Sequence, residues 1–172
     1  KHDIDFDTVE SITCLVGEGT VHRLWEPLAD KQQPPTPYAA KFSGPYTVAA
    51  GLRFGDAGLA EFTPAAIADE RLRAISAKVD YRVDPNNEYP VNYTGDVVIK
   101  LRDGTELHEH QGQLRGGMRE RMSHAELVNK CQANLDFAHW SGTNAQGIDT
   151  FASDMFSDPQ PFSARLLSKA ER

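Results

Sequence analysis

Two histidines and a glutamate occupy alternate positions of one short segment, a spacing that could bind a metal ion. On an extended strand Glu106, His108 and His110 share one face, and two imidazoles two residues apart can both reach one ion. The sequence offers no clear further ligand, and the same spacing is common on strands that face solvent. We therefore predict a solvated strand and no metal, with zinc binding as the alternative.

A glycine-containing loop carries three arginines just before a predicted helix. Arg115, Arg119 and Arg121 lie around the Gly116-Gly117 pair. Guanidinium groups beside free backbone N–H groups form a good receptor for carboxylates. Arg115 and Arg119 are thus our candidates for substrate binding. A solvated loop with surface charges is the competing interpretation, and the residues alone favour it.

A Gly44-Pro45 pair interrupts an apolar pattern of helical spacing, with Ser43 and Tyr46 on either side of it. Proline inside a helix removes a hydrogen bond and clashes with the preceding turn, at a cost of about 3 kcal/mol. The pattern therefore predicts a kinked helix or two short helices that meet. A kink can present a phenol to a cleft, so Tyr46 is our catalytic candidate and Ser43 a substrate-binding candidate. A tyrosine that faces the core is the competing interpretation, and the residues alone favour it.

The two cysteines lie in settings that do not favour a reactive thiolate. Cys14 stands in the middle of a predicted strand, and Cys131 on the apolar face of a predicted helix. They are far apart in sequence and neither has CxxC spacing, so we expect reduced, buried side chains, with a disulfide as the alternative. The glycines do not form a phosphate-binding loop between a strand and a helix.

A small predicted sheet must position these candidates. Apolar residues at every second position predict strands over 9–16, 79–83, 96–101 and 105–111. The Asp103-Gly104 pair predicts a hairpin between the last two strands. The sequence thus predicts an α+β fold, in which a small sheet with a β-hairpin is covered by helices on one face.

Helix signals flank these strands. Thr-Pro pairs precede a predicted helix over 37–54 and a predicted helix or broken helix over 64–78, and Ser123 opens a later helix as part of a capping box with Glu126. Two further amphipathic helices are predicted around 148–156 and 162–170. Their apolar stripe is too narrow to form a core alone, so we expect a C-terminal helical arm that packs on a partner surface.

Composition limits the function classes. The 172 residues include 18 Lys and Arg against 25 Asp and Glu, which gives a formal net charge of −7. Such a chain suits neither nucleic acid nor an acidic membrane surface as a partner. No apolar run approaches the ~20 residues that cross a bilayer, and no signal-peptide pattern opens the chain. We expect a soluble, cytoplasmic protein, and the start at Lys1 suggests a fragment or a processed piece.

One segment resembles a known family. Residues 38–52, which read YAAKFSGPYTVAAGL and are followed by Gly55, resemble the A-(R/K)-F-S-x-x-Y-x-V-A-x-x-L-x-x-G segment of the MmgE/PrpD family. This family includes 2-methylcitrate dehydratase, cis-aconitate decarboxylase and iminodisuccinate epimerase. The similarity extends over about residues 6–140. Two departures are Met122, where many members have Pro, and Cys131, where they have an aromatic residue.

The resemblance implies a two-part enzyme with a large helical domain and a smaller α+β lid. Residues 1–140 would be the lid, and residues 141–172 a helical segment that packs on the helical domain or a partner. The family's catalytic His and Lys residues lie mostly in the helical domain, and the position of Tyr46 is the lid's contribution. The implied parent protein is a homodimer that needs no metal or cofactor.

The implied chemistry is proton abstraction next to a carboxylate of a small polycarboxylate, followed by dehydration, decarboxylation or epimerisation. The lid alone would be inactive, because the base lies in the helical domain. The alternative is a non-catalytic binding or interaction module with the same fold.

Overall fold

The computed structural model describes residues 4–157, which fall into two compact units. The first unit ends at Arg121, and the second begins at Met122. Within the described range, no helix combines the length and hydropathy needed to cross a bilayer. The predicted domain boundary at residue 140 stays a prediction.

A four-stranded mixed sheet forms the first unit's centre. Its strands are β1 Val9–Val16, β2 Val79–Val83, β3 Gly95–Leu101 and β4 Glu106–Gln111. Their spatial order is β2-β1-β3-β4, and β1 pairs parallel with β2 but antiparallel with β3. A parallel pair needs a long crossover connection, and the helices between β1 and β2 provide it. The α+β fold and the predicted hairpin are confirmed.

Short helices make up the crossover. Their bounds are α1 Glu18–Leu24, α2 Leu28–Gln32, α3 Pro37–Ala40, α4 Gly44–Phe54, α5 Pro64–Ile67 and α6 Glu70–Ser76. The helix or broken helix predicted over 64–78 takes the broken form, because the Asp69 carboxylate accepts the Leu72 N–H at 2.7 Å and starts α6 afresh. The interruption predicted within 37–54 is present as two short helices that meet, α3 and α4, and not as a kink within one helix.

The core lies between the sheet and these helices. Ile12, Cys14 and Val16 of β1 are buried on the same side, at the predicted period of two. Helix α4 packs on α6, and the small side chains of Ala49 and Ala50 are fully buried in the same cluster. Burial of one large aliphatic side chain contributes about 1.5–3 kcal/mol, so this layer holds the helices on the sheet.

The described part of the second unit contains two helices, α7 His124–Phe137 and α8 Ala145–Ser157. The predicted capping box is present, since the Ser123 hydroxyl accepts the Glu126 N–H and the Glu126 carboxylate accepts the Ser123 N–H. Gln132 Oε1 accepts the Ala145 N–H at 2.9 Å and links α7 to the start of α8. The helix predicted over 162–170 lies outside the described residues. Both cysteines are free, with Cys14 buried and Cys131 half-buried.

The packing of α6 on α4, within the core cluster, gives a test of the core. Leu72 is fully buried, so Leu72→Ala is expected to lower the free energy of unfolding by about 2–5 kcal/mol through lost burial and a cavity. Leu59→Ala is the matched control, because that side chain is 42% exposed and its loss should cost much less. Urea unfolding followed by circular dichroism measures both, and equal losses would contradict the described core.

Candidate functional site

The turn between α3 and α4 is built around the hydroxyl of Ser43. Ser43 Oγ accepts the Tyr46 N–H at 2.9 Å and donates to the Lys31 carbonyl at the end of α2. Pro45 follows within the first turn of α4, where its missing N–H costs nothing. The hydroxyl thus starts α4 and ties it to α2. A substrate role for Ser43, which is buried, stays a prediction and would require the bond to Lys31 to be replaced.

The ring of Tyr46 lies in the core. It is 1% exposed and its centroid is 5.6 Å from that of Phe62. The hydroxyl donates to the Glu61 carbonyl at 2.6 Å, in the short 3-10 turn over Ala60–Phe62. The ring therefore faces the core, as in the second of the two interpretations of the sequence. The catalytic role of Tyr46 stays a prediction.

Burial and charge keep the Tyr46 phenol protonated. Burial raises the pKa of Tyr46 to about 12, and the negative charges of Glu61 and Asp69 act in the same direction. At neutral pH the phenol is therefore a hydrogen-bond donor. It is poorly suited to act as a base.

Tyr46 also lines a cavity of about 310 Å³. The other lining residues come from the α2–α3 connection and from α5 and α6, namely Gln33, Pro34, Pro35, Pro64, Ile67, Ala68 and Arg73. Arg73 Nη2 donates to Gln33 Oε1 at 2.9 Å. Sequence reasoning missed Arg73. The sequence does place Arg73 in the last turn of α6, between Leu72 and Ile75, which face the core. That position is the signal that could have identified it.

The arginine loop binds a carboxylate of its own. Arg115 Nη1 contacts Glu120 Oε1 at 3.1 Å, and the Gly116 N–H donates to the Glu120 carbonyl at 2.7 Å. Gly116 has φ +84°, a left-handed conformation that glycine adopts without steric cost. Arg119 lies exposed in the same loop. The structure thus places Ser43 and Tyr46 in one turn and Arg115 and Arg119 in another, and substrate binding by the two arginines stays a prediction.

The two histidines of β4 share one carboxylate. His108 Nε2 and His110 Nδ1 each lie 2.9 Å from an oxygen of Asp96, which is the cross-strand partner of His110. Burial acts to raise the pKa of Asp96, but the two histidine contacts outweigh it and lower that pKa. Among residues 4–157, no group of three or more His, Cys, Asp or Glu side chains is arranged to hold a metal.

Two other cavities flank the sheet. One of about 390 Å³ is largely apolar and lies between α4 and the β3–β4 hairpin, with Val48, Leu52 and Val97 among its walls. The other, of about 720 Å³, contains Tyr81, whose hydroxyl donates to Glu26 Oε1 at 2.6 Å. Neither cavity is lined by Tyr46, Arg115 or Arg119.

The fold and the Ser43–Tyr46 turn define a small α+β domain with helices on one face of a mixed sheet. The family model described as MmgE/PrpD C-terminal domain matches residues 1–149. The chain therefore belongs to the MmgE/PrpD family, and the resemblance carried by residues 38–52 is confirmed. No curated protein matches the chain.

The Tyr46 hydrogen bond has a measurable effect on stability. Tyr46→Phe keeps the buried ring but leaves the Glu61 carbonyl without this donor, so the free energy of unfolding should fall by about 1–3 kcal/mol. Tyr38→Phe is the control, since Tyr38 is 72% exposed and its change should cost little. Urea titrations of the two variants measure both unfolding free energies. A Tyr46→Phe protein as stable as the control would show that the bond to Glu61 contributes nothing.

The Asp96 contacts predict a pH dependence. A carboxylate whose pKa is lowered on folding from its usual 3.8 stabilises the fold above that value, and the stabilisation is lost as the pH falls through the lower folded pKa. At pH 7, Asp96→Asn should cost about 0.2–1 kcal/mol, since both histidines are largely exposed. The difference in unfolding free energy between Asp96→Asn and the unmodified chain should vanish once the pH is below the folded-state pKa of Asp96. Glu106→Gln on β4, the strand of the two histidines, is the control for loss of a carboxylate on the hairpin. A pH-independent deficit for Asp96→Asn would argue against the carboxylate's role.

Proposed function

We propose that this chain is the lid domain of a cofactor-independent lyase or isomerase that acts on a small polycarboxylate. The single observation that carries the proposal is the match of the MmgE/PrpD C-terminal domain to residues 1–149. In this proposal a helical domain of the parent protein supplies the base, and the lid closes over the substrate. The homodimeric parent, its cytoplasmic location and the identity of the polycarboxylate are parts of the same proposal.

Tyr46 enters the proposal as a hydrogen-bond donor. Abstraction of a proton next to a carboxylate places negative charge on that carboxylate, and a protonated phenol can stabilise it. A phenol whose pKa is about 12 transfers its own proton slowly at neutral pH, so donation without transfer suits it better. Tyr46 would then exchange the Glu61 carbonyl for the substrate when the lid closes.

Three other residues have supporting roles in the proposal, namely Ser43, Arg115 and Arg119. Ser43 fixes the first turn of α4 and so the position of Tyr46. Arg115 already binds the carboxylate of Glu120, which demonstrates the chemistry that a substrate carboxylate would use. To bind substrate, Arg115 would have to release Glu120, whereas Arg119 would bind from the exposed part of the loop.

The proposal predicts where activity resides. The 172 residues alone should not turn over citrate, 2-methylcitrate or cis-aconitate, because the base lies outside them. The full-length product of the gene should convert at least one small polycarboxylate, as followed by proton NMR of the substrate. Turnover by the 172 residues alone would contradict the location of the base.

Activity of the full-length product also separates the two candidate functions. If it converts no polycarboxylate, the non-catalytic binding module replaces the lyase or isomerase proposal. If it is active, Tyr46→Phe should lower kcat by at least about tenfold, since a donor to developing charge contributes a few kcal/mol. The same variant's unfolding free energy serves as the control for a structural cause.

A further inference from the structure

The cavity lined by Tyr46 contains a pair of side chains, Arg73 and Gln33, that are rich in hydrogen-bond donors. Arg73 Nη2 donates to Gln33 Oε1 at 2.9 Å, so the acceptor end of the Gln33 amide is occupied by Arg73. The Nε2 end of that amide carries two N–H donors, and a guanidinium carries five. A cluster with more donors than acceptors is matched by an anion with several oxygens.

Among the described residues, no carboxylate forms an ion pair with Arg73 to neutralise its positive charge. Within residues 4–157 its hydrogen-bond partner is the neutral amide of Gln33, and it forms no ion pair. Arg115 differs, because Glu120 already neutralises it in its own loop. A guanidinium that lines a cavity and lacks a carboxylate partner is suited to bind a planar carboxylate through two parallel N–H bonds.

Among the described residues, no carboxylate lines the cavity to compete for the donors. The rings of Pro34, Pro35 and Pro64 give a rigid apolar wall. The two carboxylates whose charges act on Tyr46 have backbone partners, since Asp69 accepts the Leu72 N–H at 2.7 Å and Glu61 accepts the Gly58 N–H at 2.8 Å. The cavity of about 310 Å³ is at the small end of ligand sites, which favours a small anion over a large one.

We propose that Arg73, with Gln33 beside it, binds one carboxylate of a small polycarboxylate in the cavity that Tyr46 lines. The inference rests on the proposed function for the identity of the ligand as substrate. Arg73 is then a substrate-binding residue on α6, and Gln33 both holds the guanidinium in place and donates an amide N–H to the same anion.

The test uses citrate as the probe, titrated by calorimetry into the 172-residue chain at constant ionic strength. Arg73→Gln should weaken citrate binding by at least about tenfold, because a charge-assisted hydrogen bond contributes about 1.5–3 kcal/mol. Arg71→Gln is the matched control, an exposed arginine of the same helix that does not line the cavity, and should bind as the unmodified chain does. Equal effects of the two changes, or no citrate binding by the unmodified chain, would overturn the proposal.

Two further variants test the geometry. Gln33→Glu places a carboxylate against Arg73 and should abolish citrate binding while leaving the fold stable, as measured by thermal unfolding. Arg73→Lys retains the charge but not the planar fork, so its affinity should lie between those of the unmodified chain and Arg73→Gln. Inorganic phosphate is the competing probe, and tighter binding of phosphate than of citrate would overturn the assignment to carboxylates.

The full-length product distinguishes this inference from the proposed function. If that protein converts a polycarboxylate and Arg73→Gln leaves KM unchanged, the Arg73 site is wrong and the proposed function stands. If citrate binds through Arg73 but the full-length protein converts no polycarboxylate, the site stands and the proposed function is wrong.

Discussion

The buried hydroxyl of Ser43 is the contact on which the helical layer depends. It joins the Lys31 carbonyl to the first turn of α4, and Lys31 Nζ donates in return to the Phe42 carbonyl at 2.8 Å. Gly44 comes next, and a Cβ there would lie 2.6 Å from the ring of Trp25. Hydrogen bonding and close approach therefore fix the same few residues, and with them the direction of α4 and the position of Tyr46.

The surroundings of Tyr46 narrow the roles that the residue can have. Its hydroxyl donates a hydrogen bond to the Glu61 carbonyl, its ring is buried, and the negative charges of two carboxylates disfavour the phenolate. All three conditions keep the phenol protonated. These conditions suit Tyr46 to donate a hydrogen bond and not to act as a base, which agrees with the role given to it in the proposed function. That role fits a chemistry in which proton abstraction and stabilisation of the resulting charge are separate tasks.

Local signals in the sequence predicted much of the fold but less of the site. The Asp103-Gly104 hairpin and the Ser123 capping box depend on neighbours within a few residues, and both are present. Asp96 beside His108 and Arg73 beside Gln33 are contacts between residues 12 and 40 positions apart. Strand register and helix packing bring such pairs together, and neither can be obtained from spacing along a single chain.

Binding of a polycarboxylate to an acidic protein requires local recognition. The net charge of −7 repels anions at a distance, but salt screens exposed charges beyond about 8 Å at physiological ionic strength. Inside that distance the outcome depends on which groups face the ligand, and Arg73, Gln33 and Tyr46 line one cavity. Glu61 and Asp69, whose charges act on Tyr46, direct oxygens toward backbone N–H groups. An acidic overall charge and a donor-rich cavity are therefore compatible in one small domain.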